Sequence, residues 1–271
     1  RTMNSIIHEV KRLASIGVKE FNLIAQDLSY YGHDLKDGTN LAGLLKELVK
    51  INEVKWIRLF YLYPTYFDDE LLKIINKEEK ICNYVDIPLQ HISDSILQRM
   101  RRKDSSHDIK NLLKKLKEVI PRMTIRTTLM VGFPGETEEN FRELCDFVQE
   151  VKFDHMGAFT FSPQEGTPAA RLPEQVEEEV KQNRYHELMS IQAKISEKNN
   201  EKLIGTKTEV LVEEIITDEK GYIQAKGRAK FQAPEVDGNT YIDNPINLKP
   251  GDFVNVEIVD GYAYDLIARE I

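Results

Sequence analysis

The sequence predicts an α/β protein, with parallel βα units over the first three quarters of the chain and a small antiparallel β-barrel after them. Five short apolar runs alternate with apolar stripes at helical spacing. No long polar linker separates them, as expected for parallel strands joined by helical crossovers. Right-handed crossovers wind such a chain into a barrel or an open doubly wound sheet. After Gly205 the texture changes to short β-rich pieces punctuated by Gly, Asp, Asn and Pro.

Ile6, Ile7, Val10, Leu13 and Ala14 share one helical face, and Gly17 is placed to end that helix. Phe21 to Ala25 reads as a buried strand. Leu41, Leu44, Leu45 and Leu48 then form a helical face, behind Thr39 and Asn40 as N-cap candidates. Trp56 to Leu62 is a second strand, stopped by Pro64, and Leu71 to Ile75 is helical. Tyr84 to Leu89 is a third strand. Ile109, Leu112, Leu113, Leu116 and Ile120 make a stripe ahead of Pro121, and Met123 to Val131 is the fourth strand. Phe141, Leu144, Cys145 and Val148 share the next helical face, with Glu138 and Glu139 in its first turn, where the helix dipole favours anions. Met156 to Phe161 is the fifth strand, and a charged helix runs from about Glu174 to Lys202. The later pieces are Thr208 to Ile216, Tyr222 to Gly227, Phe253 to Val259 and Ala263 to Ala268.

With 271 residues, 41% hydrophobic and 30% charged, the chain can bury one sizeable core and a smaller one. No apolar run approaches membrane-spanning length and no signal pattern opens the sequence, so a cytoplasmic protein is expected. The two cysteines, Cys82 and Cys145, are far apart and read as core-filling residues, neither a disulfide framework nor a metal site. A net charge of −8 repels phosphate backbones and suits a basic protein partner.

Parallel α/β folds bind ligands at the carboxyl ends of their strands. The polar and turn-forming residues there are Gln26 and Asp27, Tyr63 and Pro64, Gln90 and His91, Gly132 to Glu136, and Ser162 to Gly166. In Gly132-Phe133-Pro134-Gly135 the glycines permit close backbone approach to a flat ligand and the proline fixes the turn, although a ligand-free strand-to-helix connection has the same composition. Gln26 and Gln90 either bind a ligand or satisfy strand-end backbone groups. His91 is a substrate contact or a neighbour of a helix cap. Arg126, inside an apolar strand, faces a barrel lumen with Thr128 and Met130 or pairs with a carboxylate such as Asp86. The basic run Arg99, Arg101, Arg102 and Lys103 reads as a solvated helix end.

Taken together, "TTLMVGFPGETEENF", "LIAQDLSYYG", "DIPLQHISDSILQRMRR" and "FSPQEGTPAA" resemble strand ends of the radical S-adenosylmethionine (SAM) methylthiotransferases. The stretch from "NEKLIGTKTEVLVEE" to "GYAYDLIARE" resembles their closing TRAM domain. The resemblance implies a TIM-like (βα)6 barrel lacking its first strand over residues 1–204, with an open sheet edge, and a TRAM barrel over 205–271. It implies SAM as cofactor, with Gln26, Gln90 and Arg126 as polar contacts to cofactor or substrate. Val131, Gly132 and Phe133 would line the adenine, and Ser162 would reach the ribose. In this family a [4Fe–4S] cluster on a CxxxCxxC loop cleaves SAM reductively, and the radical so formed takes hydrogen from an unactivated carbon. No CxxxCxxC is present here, so the resemblance implies a piece of a longer chain whose two clusters are held elsewhere, inactive alone.

"YLYP", "PLQH", "QEGT" and "APEVDG" resemble the members that methylthiolate an aspartate of ribosomal protein S-twelve; the tRNA-modifying members differ at these places. From Gly205 onward five Lys and two Arg face thirteen Asp or Glu, a net of −6, which suits a basic ribosomal protein better than RNA. Glu235 and Asp237 are the expected docking residues. The alternatives are a tRNA methylthiotransferase and a non-catalytic module binding RNA or ribosomal protein.

Overall fold

A computed structural model describes residues 1–217, 219 and 221–271. The chain forms two compact units, Arg1–Gln192 and Ala193–Ile271.

In the first unit, β1 (Glu20–Leu23), β2 (Trp56–Leu59), β3 (Ile81–Asp86), β4 (Thr124–Val131) and β5 (His155–Thr160) pair as a parallel sheet in chain order. The sheet is open, with β1 and β5 at its edges. Around it lie α1 (Met3–Ser15), α2 (Leu41–Leu48), α3 (Asp69–Lys77), α4 (Asp94–Arg99), α5 (Ser106–Val119) and α6 (Glu138–Val151); α7 (Glu178–Glu201) follows. Local chemistry sets several helix starts. Asn40 caps α2 through the Gly43 amide, and capping boxes open α5 (Ser105 with Asp108) and α6 (Thr137 with Asn140).

Alternation along β4 sorts the two faces of the sheet. Ile125, Thr127, Leu129 and Val131 are fully buried, whereas Arg126, Thr128 and Met130 are half-buried on the opposite face. Cys82 in β3 and Cys145 in α6 are buried.

Several boundaries differ from the sequence reading. β3 begins three residues early, at Ile81, and ends at Asp86; the stretch beyond it still bonds to β4, the Ile87 amide donating to Arg126 and the Gln90 amide to Thr128. The last helix starts at Glu178, because Glu174 sits at φ +62° and its carboxylate pairs with Arg99.

The second unit carries β6 (Lys207–Thr217), β7 (Ile223–Ala229), β8 (Thr240–Asp243), β9 (Phe253–Gly261) and β10 (Leu266–Glu270), closed in the order β10-β8-β7-β6-β9. Val210, Val212, Ile242, Val256, Ile258 and Leu266 belong to its core. The sequence reading missed β8, whose four residues alternate too briefly to register. It is β8 that closes the barrel, and it pairs parallel to β10, so the expectation of a wholly antiparallel barrel is corrected.

Candidate functional site at the carboxyl edge of the sheet

Because β1 to β5 are parallel, Gln26, Gln90, Gly132 and Ser162 all follow the carboxyl ends of their strands, at one edge of the sheet.

The turn after β4 is held from within. Gly132 adopts φ +73°, and the Glu136 Oε2 accepts the Gly132 amide at 2.6 Å and the Phe133 amide at 3.3 Å. Arg184, near the start of α7, donates through Nη1 to the Glu136 carbonyl and to its Oε1, each at 3.1 Å. A Cβ on Gly132 would sit inside the Lys181 side chain, and one on Gly135 inside the Arg99 guanidinium. Both glycines of the Gly-Phe-Pro-Gly turn are therefore required by close packing, whatever ligand lies beyond it. Burial pushes the Glu136 carboxyl up, while Arg184 and the two amides pull it back.

Like Tyr61 after β2 at φ +53°, Gln90 is a strained residue of this edge. Its φ is +69°, and its buried Oε1 has no hydrogen-bond partner among the described residues. Its backbone is fully used, the amide donating to Thr128 and the carbonyl accepting from Met130. His91 is completely buried, and its Nδ1 accepts the Ser93 amide at 2.9 Å where Ser93 precedes α4. His91 therefore lies beside the start of α4, shut off from solvent. Burial, aided by Arg184, lowers its pKa to about 3, so the ring is neutral with its proton on Nε2, 3.9 Å from the Glu136 Oε2.

Arg126 lies on the half-buried face of β4 with Thr128 and Met130 and pairs with Asp86 at 3.2 Å, its Nη1 also donating to Thr128. Asp86 further accepts the Tyr61 amide. A second pair, Glu20 with Arg58 at 3.2 Å, lies two strands away, and the Arg58 guanidinium stacks 4.8 Å from the Tyr84 ring centre. Arg58 gave the same sequence signal as Arg126, a cation inside an apolar run, and was missed.

Val131 is fully buried and Phe133 packs edge-on against Phe161 at 5.0 Å, so both offer a ligand mainly backbone. Gln26 and Ser162 are exposed, and Ser162 accepts from the Gln164 amide nitrogen at 3.2 Å. The basic run is not a solvated helix end throughout. Arg99 pairs with Glu174, and Arg102 lies 4.6 Å from the Tyr63 ring centre and donates to the Pro88 carbonyl. Lys181 and Arg184 carried no sequence signal, since the Gly132 and Glu136 they pack on and bind lie more than 40 residues away.

In the second unit Glu235 is exposed at φ +66°. Asp237 accepts the Ala233 amide at 2.8 Å, so its carboxylate closes a turn and is not simply displayed to a partner.

These residues do not fit an iron–sulfur cluster. The two cysteines are buried in separate elements, and no group of three or more metal-ligating side chains occurs among the described residues. The carboxyl edge does fit a polar organic cofactor, through the orphaned Gln90 oxygen beside a turn that tolerates no Cβ.

The radical SAM superfamily model matches residues 1–148, and the TRAM domain model residues 204–271. Ribosomal protein uS12 methylthiotransferase RimO of Geotalea uraniireducens is 46% identical over 99% of this chain and 59% of its own length. RimO of Clostridioides difficile is 48% identical over 98% of the chain and 59% of its own length. This chain thus spans about three fifths of these relatives. Coproporphyrinogen III oxidase (HemN) of Escherichia coli shares the fold at a TM-score of 0.56 and 16% identity, over 71% of this chain and 45% of that one. No helix among the described residues is long and apolar enough to cross a membrane.

Proposed function

We propose that this chain, which belongs to the radical SAM superfamily, is the barrel and TRAM portion of an enzyme that methylthiolates the β-carbon of an aspartate in ribosomal protein uS12. The observation that carries this reading is the similarity to uS12 methylthiotransferases at 44–48% identity along almost the whole chain. Residues 1–204 form the catalytic barrel and 205–271 the TRAM domain. The protein works in the cytoplasm, where its substrate is made, and nucleic acid is not its favoured partner.

SAM and iron–sulfur clusters, two of them with ligands outside these residues, supply hydrogen abstraction from an unactivated carbon when bound. The chain's own residues bind, orient and exclude water. Gln90 offers its buried Oε1 to a donor on SAM, supported by a backbone strain that other contacts hold in place. The backbone of Val131, Gly132 and Phe133 borders the adenine, Ser162 meets the ribose, and Gln26 contacts cofactor or substrate from the β1 side. Arg126 presents positive charge on the open face toward an anionic group of cofactor or substrate. His91, next in sequence to Gln90, steadies the start of α4 through the Ser93 amide. Glu235 and Asp237 belong to the surface that receives uS12.

The test incubates the full natural polypeptide containing these residues, loaded with iron, sulfide and SAM, with uS12 and tRNA in parallel, and reads methylthio groups by mass spectrometry. Modification of an aspartate in uS12 is expected. Modification of tRNA alone establishes the tRNA enzyme instead, and modification of neither leaves a binding module.

A further inference from the structure

In the second unit, three large apolar side chains are more than half exposed on two neighbouring loops: Val236 at 51%, Tyr262 at 54% and Tyr264 at 52%. The topology brings these loops together. β8 and β10 are parallel neighbours, so the segments that precede them, 230–239 and 262–265, lie at the same end of the barrel. Gly238 packs against the Tyr264 carbonyl so closely that any side chain there would collide with it. The Asn239 amide donates to Asp265 at 2.7 Å, the Leu266 amide to the Asn239 carbonyl at 2.9 Å, and the Tyr262 amide to the Asp265 carbonyl at 2.9 Å. Asp237 ties the first loop to itself through the Ala233 amide. The loops are thus fixed before any partner arrives, which lowers the entropic cost of docking on them.

Carboxylates flank these apolar groups. The Asp260 carboxylate lies near the Tyr262 hydroxyl and raises its pKa, and Glu235 stands exposed beside Val236. A tyrosine face beside a carboxylate suits a lysine or arginine, whose stem packs on the ring while its charge meets the acid. The surrounding chain adds to this, since residues from Gly205 onward carry thirteen acids against seven basic residues. The same field repels a phosphate backbone.

We infer that Val236, Tyr262 and Tyr264, with Glu235 and Asp260, form a preorganised docking patch for a lysine- and arginine-rich protein segment. The inference rests on the proposed function, since it identifies where the basic protein substrate is held. Exposed tyrosines are enriched among residues that dominate binding energy, so the apolar members carry the affinity, while the acids steer the encounter.

The test measures binding of uS12, of an acidic protein of similar size and of tRNA to the 271-residue chain, by fluorescence anisotropy at two salt concentrations. The variants are the triple Val236→Ser/Tyr262→Ser/Tyr264→Ser and the single Glu235→Lys, each checked by circular dichroism and thermal melting. Wild type is expected to bind uS12 and not the acidic protein. The triple variant should lose about tenfold or more in affinity, and Glu235→Lys should weaken binding mainly at low salt. If wild type binds uS12 and the folded triple variant binds it equally well, the patch is overturned while the proposed function stands. If wild type ignores uS12, the reading beneath the patch fails as well. Binding of tRNA that the triple variant abolishes reassigns the patch to nucleic acid and overturns the inference. Should the triple variant not fold, Tyr264→Ser and Val236→Ser singly, each expected to weaken uS12 several-fold, decide the matter by the same criterion.

Discussion

Arg184 holds Glu136 twice, at the backbone carbonyl and at the carboxylate, each at 3.1 Å, and so fastens the turn after β4 to α7. Both side chains are nearly excluded from solvent, at 8% and 0% exposure. Replacing Arg184 with Leu leaves a buried carboxylate with two amide donors and no cation, which should cost about 3–5 kcal/mol. Arg184→Lys, which keeps the charge and loses the fork, should recover part of that. Urea unfolding of the three proteins checks it, and a Leu variant as stable as wild type would remove the pair from any role in holding the turn.

Gly132→Ala puts a methyl group into the space of the Lys181 stem and forces a non-glycine residue to φ +73°. Strain and overpacking together should destabilise the first unit by about 2–4 kcal/mol. The double variant Gly132→Ala/Lys181→Ala should recover the packing part alone, read by the same unfolding curves.

His91 makes stability depend on pH with a definite sign. Its folded pKa of about 3 lies below the ordinary histidine value of 6.5, so between these values the unfolded chain takes up a proton that the folded chain refuses. Stability contributed by the neutral ring is complete above pH 6.5 and is lost as the pH falls toward 3, up to a limit of about 5 kcal/mol. Glu136 works in the other direction: with its folded pKa raised, it costs stability as pH rises out of the ordinary carboxylate range. Unfolding free energies from pH 7 down to 4.5 should therefore decline in wild type. The decline should be shallower in His91→Asn, whose side-chain oxygen can still accept the Ser93 amide.

The Cys145 thiol lies on the buried face of α6 and is pushed up to about 12, chiefly by burial and then by the Glu187 charge. It should resist alkylation at neutral pH in the folded chain, as should Cys82, and both should react fully in urea. Iron and sulfide added to these 271 residues should give no cluster absorbance; a stoichiometric [4Fe–4S] spectrum would mean that ligands have been misassigned.

Much of the first unit was legible because its strands leave apolar runs between helical stripes, and because Asn40 announces α2 through local chemistry. Gln90 and the 132–136 turn were found by position, at strand ends, and not by composition. β8 was illegible because four residues carry too little alternation, and Asp237 read as a docking charge because its partner is a backbone amide invisible to composition.

By itself the sequence determined the order of strands and helices, the polar residues at the carboxyl ends, the acidic cast of the last 67 residues and the resemblance that names the chemistry. These follow from local periodicity, charge and motif, which need no knowledge of what lies nearby in space. Only the tertiary structure decided that Lys181 and Arg184 fasten the Gly132 turn, that Arg126 pairs with Asp86, that His91 is buried and neutral, and that a parallel strand pair brings the loops of Val236 and Tyr264 to one end of the barrel. Each joins residues distant in the chain, and an ion pair or a buried ring owes its energy to the dielectric and the partner that folding places around it.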